Sequence, residues 1–247
     1  MQAGVVAAPR ARSELPSLER LGRLGGRGWA LVPIGSIVVV VFAIRYLSDT
    51  AGALTYLALV AVPPLAAAAL GWAARGSRPW LALGAVVLFV LAWAFKSSLV
   101  GEACASLLSA LSCVTLGVLL AAVTPPAWLK LGIVAMAAAD TWLVVSDLLQ
   151  APNATLIAAH PAAGLPRLQT EIFGSVSMGY GDLFVAGLLG AVLAGRVGVQ
   201  RSAALVTLVL AACFDLLFLV LSELPATVPV AAALIVTEVG GRVRRSS

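Results

Sequence analysis

Long apolar runs separated by short polar segments constrain this chain more than any other feature. Its 247 residues are 61% hydrophobic and 11% charged, whereas a soluble domain is nearer half apolar and a quarter charged. Runs of about 20 apolar residues can cross a bilayer as helices, because a helix satisfies its own backbone hydrogen bonds there. We therefore predict an all-α, polytopic helical membrane protein with about eight spans: Trp29–Leu47, Gly52–Ala74, Trp80–Ser97, Ala103–Val123, Pro126–Leu149, Glu171–Gly195, Ser202–Ser222 and Pro225–Val239.

Four regions follow from this pattern. Residues 1–28 are predicted to form a basic and disordered cytoplasmic tail, because arginines alternate there with glycine and alanine. Residues 29–125 hold the first four spans, and residues 126–240 hold the last four. Residues 241–247 form a short basic tail. The chain thus leaves no segment large enough for a soluble domain of ordinary size.

The distribution of lysine and arginine predicts the orientation. With eight spans, 13 basic residues share the side of the N-terminus and 3 lie on the other side, so the positive-inside rule places both termini in the cytoplasm. We expect an integral protein of a bacterial plasma membrane, with the polar segment 150–170 outside. The inside set is Arg10, Arg12, Arg20, Arg23, Arg27, Arg75, Arg78, Lys130, Arg196, Arg201, Arg242, Arg244 and Arg245, and the outside set is Arg45, Lys96 and Arg167.

Three aspartates fall deep in predicted spans, where an ionisable residue is a functional hypothesis by default: Asp140, Asp182 and Asp215. Asp140 is ten residues past Lys130, which places it about 15 Å into its span at 1.5 Å per residue. Asp182 is eleven residues past Glu171, or about 16 Å into the next span. Because these two spans are antiparallel neighbours, we expect Asp140 and Asp182 to meet near the midplane.

Two carboxyl groups at one site permit a specific chemistry. They cannot both ionise cheaply, so one proton is held between them and the pair titrates as a unit. The ionised group takes a proton from a water that attacks a peptide carbonyl, and the protonated group stabilises the oxyanion and then protonates the leaving nitrogen. Gly179 and Gly181, just before Asp182, allow a substrate backbone to come close and loosen the helix.

Structural roles for these residues, and a rival residue for the pair, are alternatives to this hypothesis. Asp182 could cap a half-helix or bond a neighbour instead of reacting. Asp147 lies seven residues after Asp140, on nearly the same helix face, and is a rival for its role. Asp215 has no motif around it, and a structural partner in the bundle explains it more simply. The single histidine, His160, has no Cys or His nearby, so we expect neither a metal nor a cofactor.

Three sequence features in order carry a family resemblance. The run Gly179-Tyr180-Gly181-Asp182 resembles the GxGD signature of intramembrane aspartyl proteases, the presenilin and signal peptide peptidase family. Asp140 resembles that family's first catalytic aspartate, with Val144 four positions later. The segment Leu224-Pro225-Ala226-Thr227 resembles its Pro-Ala-Leu motif before the last helix, with threonine in place of leucine.

The resemblance covers roughly residues 126–240 and implies a presenilin-like bundle, although the family usually has nine spans. It implies an aspartic endopeptidase with Asp140 and Asp182 as the catalytic pair. The substrate-binding residues it implies are Gly179, Tyr180, Gly181, Leu224, Pro225, Ala226 and Thr227.

The implied substrates are membrane-spanning segments of type II orientation or signal-peptide remnants, since the predicted orientation is that of signal peptide peptidase. The expected partners are membrane lipids and a transmembrane peptide. Nucleic acid is not expected, because the net charge of +5 comes from basic residues at the termini and in short loops. The oligomeric state stays open.

Two alternative functions remain. A prepilin-peptidase-like GxGD protease shares the signature and the small-residue helix behind it, but such enzymes place further spans between their aspartates and lack the Pro-Ala motif. A proton-coupled transporter could use Asp140, Asp182 and Asp215 as a relay. Against it, the two halves of the sequence show no inverted repeat.

Overall fold

The computed structural model describes the whole chain except residues 17, 47–49, 147, 149, 160, 162–163, 175, 218–223 and 247. Helices dominate the described residues, which confirms the all-α prediction. They are α1 Gln2–Ala7, α2 Leu18–Gly22, α3 Leu31–Tyr46, α4 Thr50–Ala68, α5 Leu83–Ala94, α6 Leu99–Val123, α7 Pro126–Val145, α8 Gln150–Ala158, α9 Tyr180–Leu193, α10 Val197–Leu217 and α11 Val228–Ser246. Shorter turns are 3-10 helical at Arg12–Glu14, Arg27–Ala30 and Pro79–Ala82, and a π-helical turn, Ala69–Ala73, extends α4. One antiparallel hairpin pairs strand β1 Thr170–Phe173 with strand β2 Val176–Gly179.

Four helical segments in the described part of the chain are long and apolar enough to cross a membrane, which is compatible with an integral membrane protein. They are Thr50–Ala73, Leu99–Val123, Pro126–Val145 and Val197–Leu217. A fifth is possible if the two halves Arg27–Pro33 and Val38–Ile44, which meet at 43°, form one broken span. The other three predicted spans correspond to shorter apolar helices at Pro79–Ala94, Tyr180–Leu193 and Val228–Gly240, so eight full spans are not confirmed.

Helix α6 lies at the centre of the bundle. Two-thirds of its apolar window is buried, against 22–28% in the other three long segments. Small residues let α9 approach it closely: a Cβ on Gly117 of α6 would overlap the carbonyl of Gly187 on α9, and a Cβ on Gly187 would overlap the carbonyl of Cys113. Such small-residue contacts are the usual means by which helices pack in lipid, where apolar burial gives little driving force.

The N-terminal segment differs from the predicted disordered tail. Val5 and Val6 of α1 and Leu15 and Leu18 after it are almost fully buried, and α1 packs against α6, α9 and α10. The Nε2 amide of Gln200 donates to three backbone carbonyls, those of Val6 at 2.9 Å, Pro9 at 3.1 Å and Gly190 at 3.2 Å. The prediction failed because apolar residues spaced between arginines give a low average hydrophobicity, yet they are enough to fill a groove.

The bundle has two distinguishable ends. At the basic end, Arg75 binds the Ala194 carbonyl and Gln200, while Glu238 forms ion pairs with Lys130 and Arg196. At the hairpin end, the backbone N–H of Gly174 donates to Glu102 at the start of α6. Helices α6, α7, α9 and α11 run between these ends, so residues far apart in sequence can meet at either one.

Candidate functional site

The hairpin replaces the first part of the predicted sixth span. Thr170 pairs with Gly179 and Glu171 with Met178, and the strands turn at Gly174, whose φ is +61°. The span prediction was wrong here because hydropathy does not separate a short apolar strand from a helix. β-Branched and aromatic residues around a glycine favour a hairpin. Helix α9 therefore begins at Tyr180, and Asp182 is its third residue instead of a mid-span residue.

Asp182 is held by the start of its own helix. Its Oδ2 accepts the backbone N–H of Gly179 at 3.1 Å, which is the half of a capping box that a glycine at the N-cap allows. A Cβ on Gly179 would lie 3.2 Å from that same oxygen, so a side chain there would crowd the carboxylate. Asp182 thus has the helix-capping role that was considered as an alternative, and this hydrogen bond also fixes the position of its carboxylate.

Asp140 lies near the other helix terminus of the site. Helix α7 ends at Val145, so Asp140 is five residues, or about 8 Å, from that end and not near the midpoint that the sequence suggested. Its Oδ2 accepts two hydrogen bonds from Thr227, one from the hydroxyl at 2.7 Å and one from the backbone N–H at 3.3 Å. Asp140 is therefore fixed by the segment that precedes α11.

The two aspartates come together at the hairpin end of the bundle. Helices α7 and α9 pack against each other, and the Asp140 and Asp182 carboxyl groups lie close enough to interact electrostatically. Both estimates of position along the helices were wrong, but the two residues still come from neighbouring helices. Both errors had the same cause, since α7 stops early and α9 starts late, and they moved the two residues toward the same end.

The segment Leu224–Thr227 lies beside this pair. The last helix begins at Val228 and not at Pro225 as predicted, because the chain makes a turn in which the Val228 N–H donates to the Pro225 carbonyl at 3.2 Å. The Ala226 carbonyl accepts the side-chain amide of Gln2 at 2.7 Å. Thr227, where the resemblance expects leucine, is 2% exposed and supplies the hydroxyl that binds Asp140.

The remaining predicted residues divide into two groups. Gly181 has open space where a side chain would stand, and Leu224, Pro225 and Ala226 are half-buried, so a ligand could reach these positions. Tyr180 instead shares a 2.6 Å hydrogen bond with Ser112 of α6, which ties α9 to the bundle centre.

The other acidic residues considered for the site, and the single histidine, lie elsewhere or are not described. Asp215 lies on α10, where its side chain is exposed. Asp147 and His160 lie outside the described residues.

Two residues at the site were missed by sequence reasoning. Glu171 is 5% exposed, and its two carboxyl oxygens have no hydrogen-bond partner among the described residues. It was treated only as the start of a span, although a glutamate eight residues before Gly179 in an apolar run was a signal in itself. Gln2, which is 4% exposed and bound to Ala226, gave no such signal.

Comparisons of this chain with family models, with curated proteins and with solved structures find no match.

Proposed function

We propose that this protein is an intramembrane aspartyl protease that hydrolyses peptide bonds of membrane-spanning segments. The observation that supports it best is the meeting of Asp140 and Asp182, which come from two different helices to one end of the bundle. Two carboxyls that interact in a buried site can share one proton, which gives one base and one acid for attack of water on an amide. The three sequence features that resemble the GxGD family also support the proposal, because Thr227 binds Asp140 and Asp140 interacts with Asp182.

Each member of the site has a distinct part in the proposed reaction. Thr227 fixes the orientation of Asp140 through two donors, and Gly179 fixes Asp182. The open surface at Gly181 lets a peptide backbone approach the pair. The short hairpin leads directly into α9, and an extended substrate segment could add to a sheet edge there by main-chain hydrogen bonds. A membrane helix must unwind before attack, and such an edge would hold the unwound part.

The test is a cleavage assay with purified protein in detergent and a labelled transmembrane peptide. Asp140→Asn and Asp182→Asn should each abolish cleavage, and the double variant should be no worse than either, because the pair acts as one unit. Asp215→Asn is the matched control, since it removes an exposed carboxylate of α10. A transition-state analogue of aspartyl proteases should inhibit the wild type. Cleavage by Asp140→Asn at the wild-type rate would end the proposal.

The two alternatives give different results with the same protein. A prepilin-type peptidase would cut a leader peptide with a soluble cytoplasmic end and leave buried membrane segments intact. A proton-coupled transporter would move protons in reconstituted vesicles and cut neither. In the transporter case, Asp182→Asn would stop proton flux, whereas the aspartyl analogue would have no effect.

A further inference from the structure

Gln2 is a buried amide side chain at the start of α1, and the proposed reaction does not use it. It is 4% exposed, and its Nε2 atom donates to the Ala226 carbonyl at 2.7 Å, across 224 positions of the sequence. A buried amide needs hydrogen-bond partners, so burial explains why Gln2 is bound to something. The identity of the partner is informative, because Ala226 shares a peptide group with Thr227.

The peptide group between Ala226 and Thr227 connects Gln2 to Asp140. Its oxygen accepts the Gln2 amide at 2.7 Å, and its N–H, which belongs to Thr227, donates to Oδ2 of Asp140 at 3.3 Å. A peptide group is planar, so a hydrogen bond that fixes the oxygen also fixes the direction of the N–H. Hydrogen bonds at the two ends of one peptide group also polarise each other, which strengthens the N–H as a donor.

The carbonyls on either side of this peptide belong to the start of the last helix. The Pro225 carbonyl accepts the Val228 N–H at 3.2 Å, and the Thr227 carbonyl accepts the N–H four residues later at 3.1 Å. The Ala226 carbonyl lies between them and accepts the Gln2 side chain. The orientation of the peptide that binds Asp140 therefore depends on a side chain of α1 as well as on α11.

Helix α1 gives Gln2 a fixed base. Val6 of this helix is fully buried, and its carbonyl accepts the Gln200 side-chain amide of α10 at 2.9 Å. A Cβ on Gly190 would overlap that same carbonyl, so the backbone of α1 lies directly against α9. A side chain on an anchored helix loses little further freedom when it forms its hydrogen bond. Gln2 can therefore hold the Ala226 carbonyl in place instead of following its movements.

We propose that Gln2 is a positioning residue of the candidate site, which holds the peptide between Ala226 and Thr227 so that its N–H stays on the Asp140 carboxyl group. For its effect on cleavage, this inference rests on the proposed protease function. Gln2 is buried and acts through the peptide, so its loss should disturb Asp140 and leave substrate binding nearly unchanged.

The first test is a magnetic resonance measurement that does not depend on cleavage. The full chain in detergent is labelled at the amide nitrogen of threonine, and the Thr227 signal is identified by its loss in Thr227→Ser. Gln2→Met keeps the length of the side chain and removes the donor, so the Thr227 amide proton should move upfield as its bond to Asp140 weakens. Gln2→Asn has an amide that is too short to reach Ala226 and should give the same shift, even if Gln2→Met fails to fold.

Val5→Ala is the matched control for this measurement. Val5 is a buried residue of the same helix, so its truncation weakens the packing of α1 and keeps the Gln2 amide. The Thr227 signal should stay in place in this variant. An unmoved signal in the Gln2 variants, or an equal shift in Val5→Ala, would overturn the inference.

The second test is the cleavage of the labelled transmembrane peptide by the same variants. Gln2→Met and Gln2→Asn should lower kcat by about threefold to tenfold, the value of one neutral hydrogen bond, with little change in KM. Val5→Ala should keep a kcat near that of the wild type. A wild-type kcat in both Gln2 variants would overturn the inference. Failure of the protease proposal would appear separately, as a wild type that never cuts, and the Thr227 signal would still decide whether Gln2 holds the peptide on Asp140.

Discussion

At the scale of single residues, Thr227 is the group that most directly holds Asp140. Its hydroxyl donates at 2.7 Å to the carboxylate. Thr227→Val keeps the shape and removes this donor, so we expect cleavage to fall by about 10- to 100-fold, the value of one hydrogen bond to a charged group. Thr227→Ser keeps the donor and should keep most of the activity. Initial rates on the transmembrane peptide measure both.

Thr237, in the helix α11 that follows Thr227, provides the control for that change. The Thr237 hydroxyl donates within α11, to Ala233 at 2.8 Å and to Leu234 at 3.0 Å, so Thr237→Val removes a hydroxyl far from Asp140. It should leave the rate near that of the wild type. If Thr227→Val and Thr237→Val behave alike, the Thr227 hydroxyl has no part in holding Asp140.

Glu171 makes a separate prediction about stability. It lies in the hairpin, outside the helices long enough to cross a membrane, and burial raises its pKa from 4.5 to about 8. Between these two pH values Glu171 binds more protons in the folded chain than in the unfolded chain, so its contribution to stability is most favourable below pH 4.5 and falls as pH rises to about 8. The slope approaches about 1.4 kcal/mol per pH unit.

Thermal unfolding of the detergent-solubilised protein from pH 5 to 9 measures this slope. Glu171→Gln resembles the protonated acid in shape and cannot ionise, so its midpoint should vary less with pH and exceed that of the wild type at pH 9. Equal slopes for the two proteins would show that Glu171 does not gain a proton affinity on folding.

At the scale of elements, a substitution in the first turn of α9 should affect cleavage without lowering stability. Gly181 has no atom within 4 Å of the place where a Cβ would stand, so Gly181→Ala should be neutral or stabilising by up to about 1 kcal/mol. The added methyl group would instead meet an approaching substrate backbone, and we expect cleavage to fall by about tenfold or more. Gly195→Ala, at an equally open position beyond the other end of α9, should change neither property. A Gly181→Ala variant that cuts normally would remove this glycine from the binding surface.

The same element shows how far the sequence could predict the fold. Apolar length correctly predicted the helices α4, α6, α7 and α10, because a continuous run of about 20 apolar residues has few other uses. It could not predict the Thr170–Gly179 hairpin, since strands and helices of such length have the same average hydropathy. The buried α1 was also missed, because its burial depends on a groove formed by helices far along the chain.

The sequence suggested the two aspartates of the candidate site, but not the residues that surround them. The hypothesis of an aspartate pair came from charged residues in apolar runs and from the order of motifs, which tolerate errors in helix boundaries of several residues. The partners of the pair did not follow. That Thr227 would bind Asp140, and that Glu171 would be buried, depends on side-chain directions in the turn before α11 and in the hairpin. No periodicity in the sequence encodes those directions.

At the scale of the whole molecule, four basic residues of the predicted inside set make contacts at the basic end of the bundle. Arg10 contacts Ser77, Arg75 binds Ala194, and both Lys130 and Arg196 pair with Glu238. The predicted outside residues Lys96 and Arg167 line one cavity at the hairpin end. These described basic residues are therefore divided between the two ends of the bundle in the same way as the predicted inside and outside sets.

This segregation predicts which end faces the cytoplasm. The basic end should lie inside and the hairpin end, with the aspartate pair, toward the outside. Labelling of single cysteines can measure this in a Cys213→Ser background, because Cys213 is exposed whereas Cys104 and Cys113 are buried. Asn153→Cys on α8 and Gly198→Cys at the start of α10 both place the thiol at an exposed position.

In intact cells, a membrane-impermeant maleimide should label Asn153→Cys and should label Gly198→Cys only after the membrane is opened. A peptide bond has a direction, so a site inserted this way up should prefer segments whose N-terminus is cytoplasmic, and a type II anchor should be cut faster than the same sequence inserted in reverse. The opposite labelling pattern would invert both the orientation and this preference. It would leave the chemistry proposed for Asp140 and Asp182 unchanged, because that chemistry depends on their interaction with each other and not on which end faces the cytoplasm.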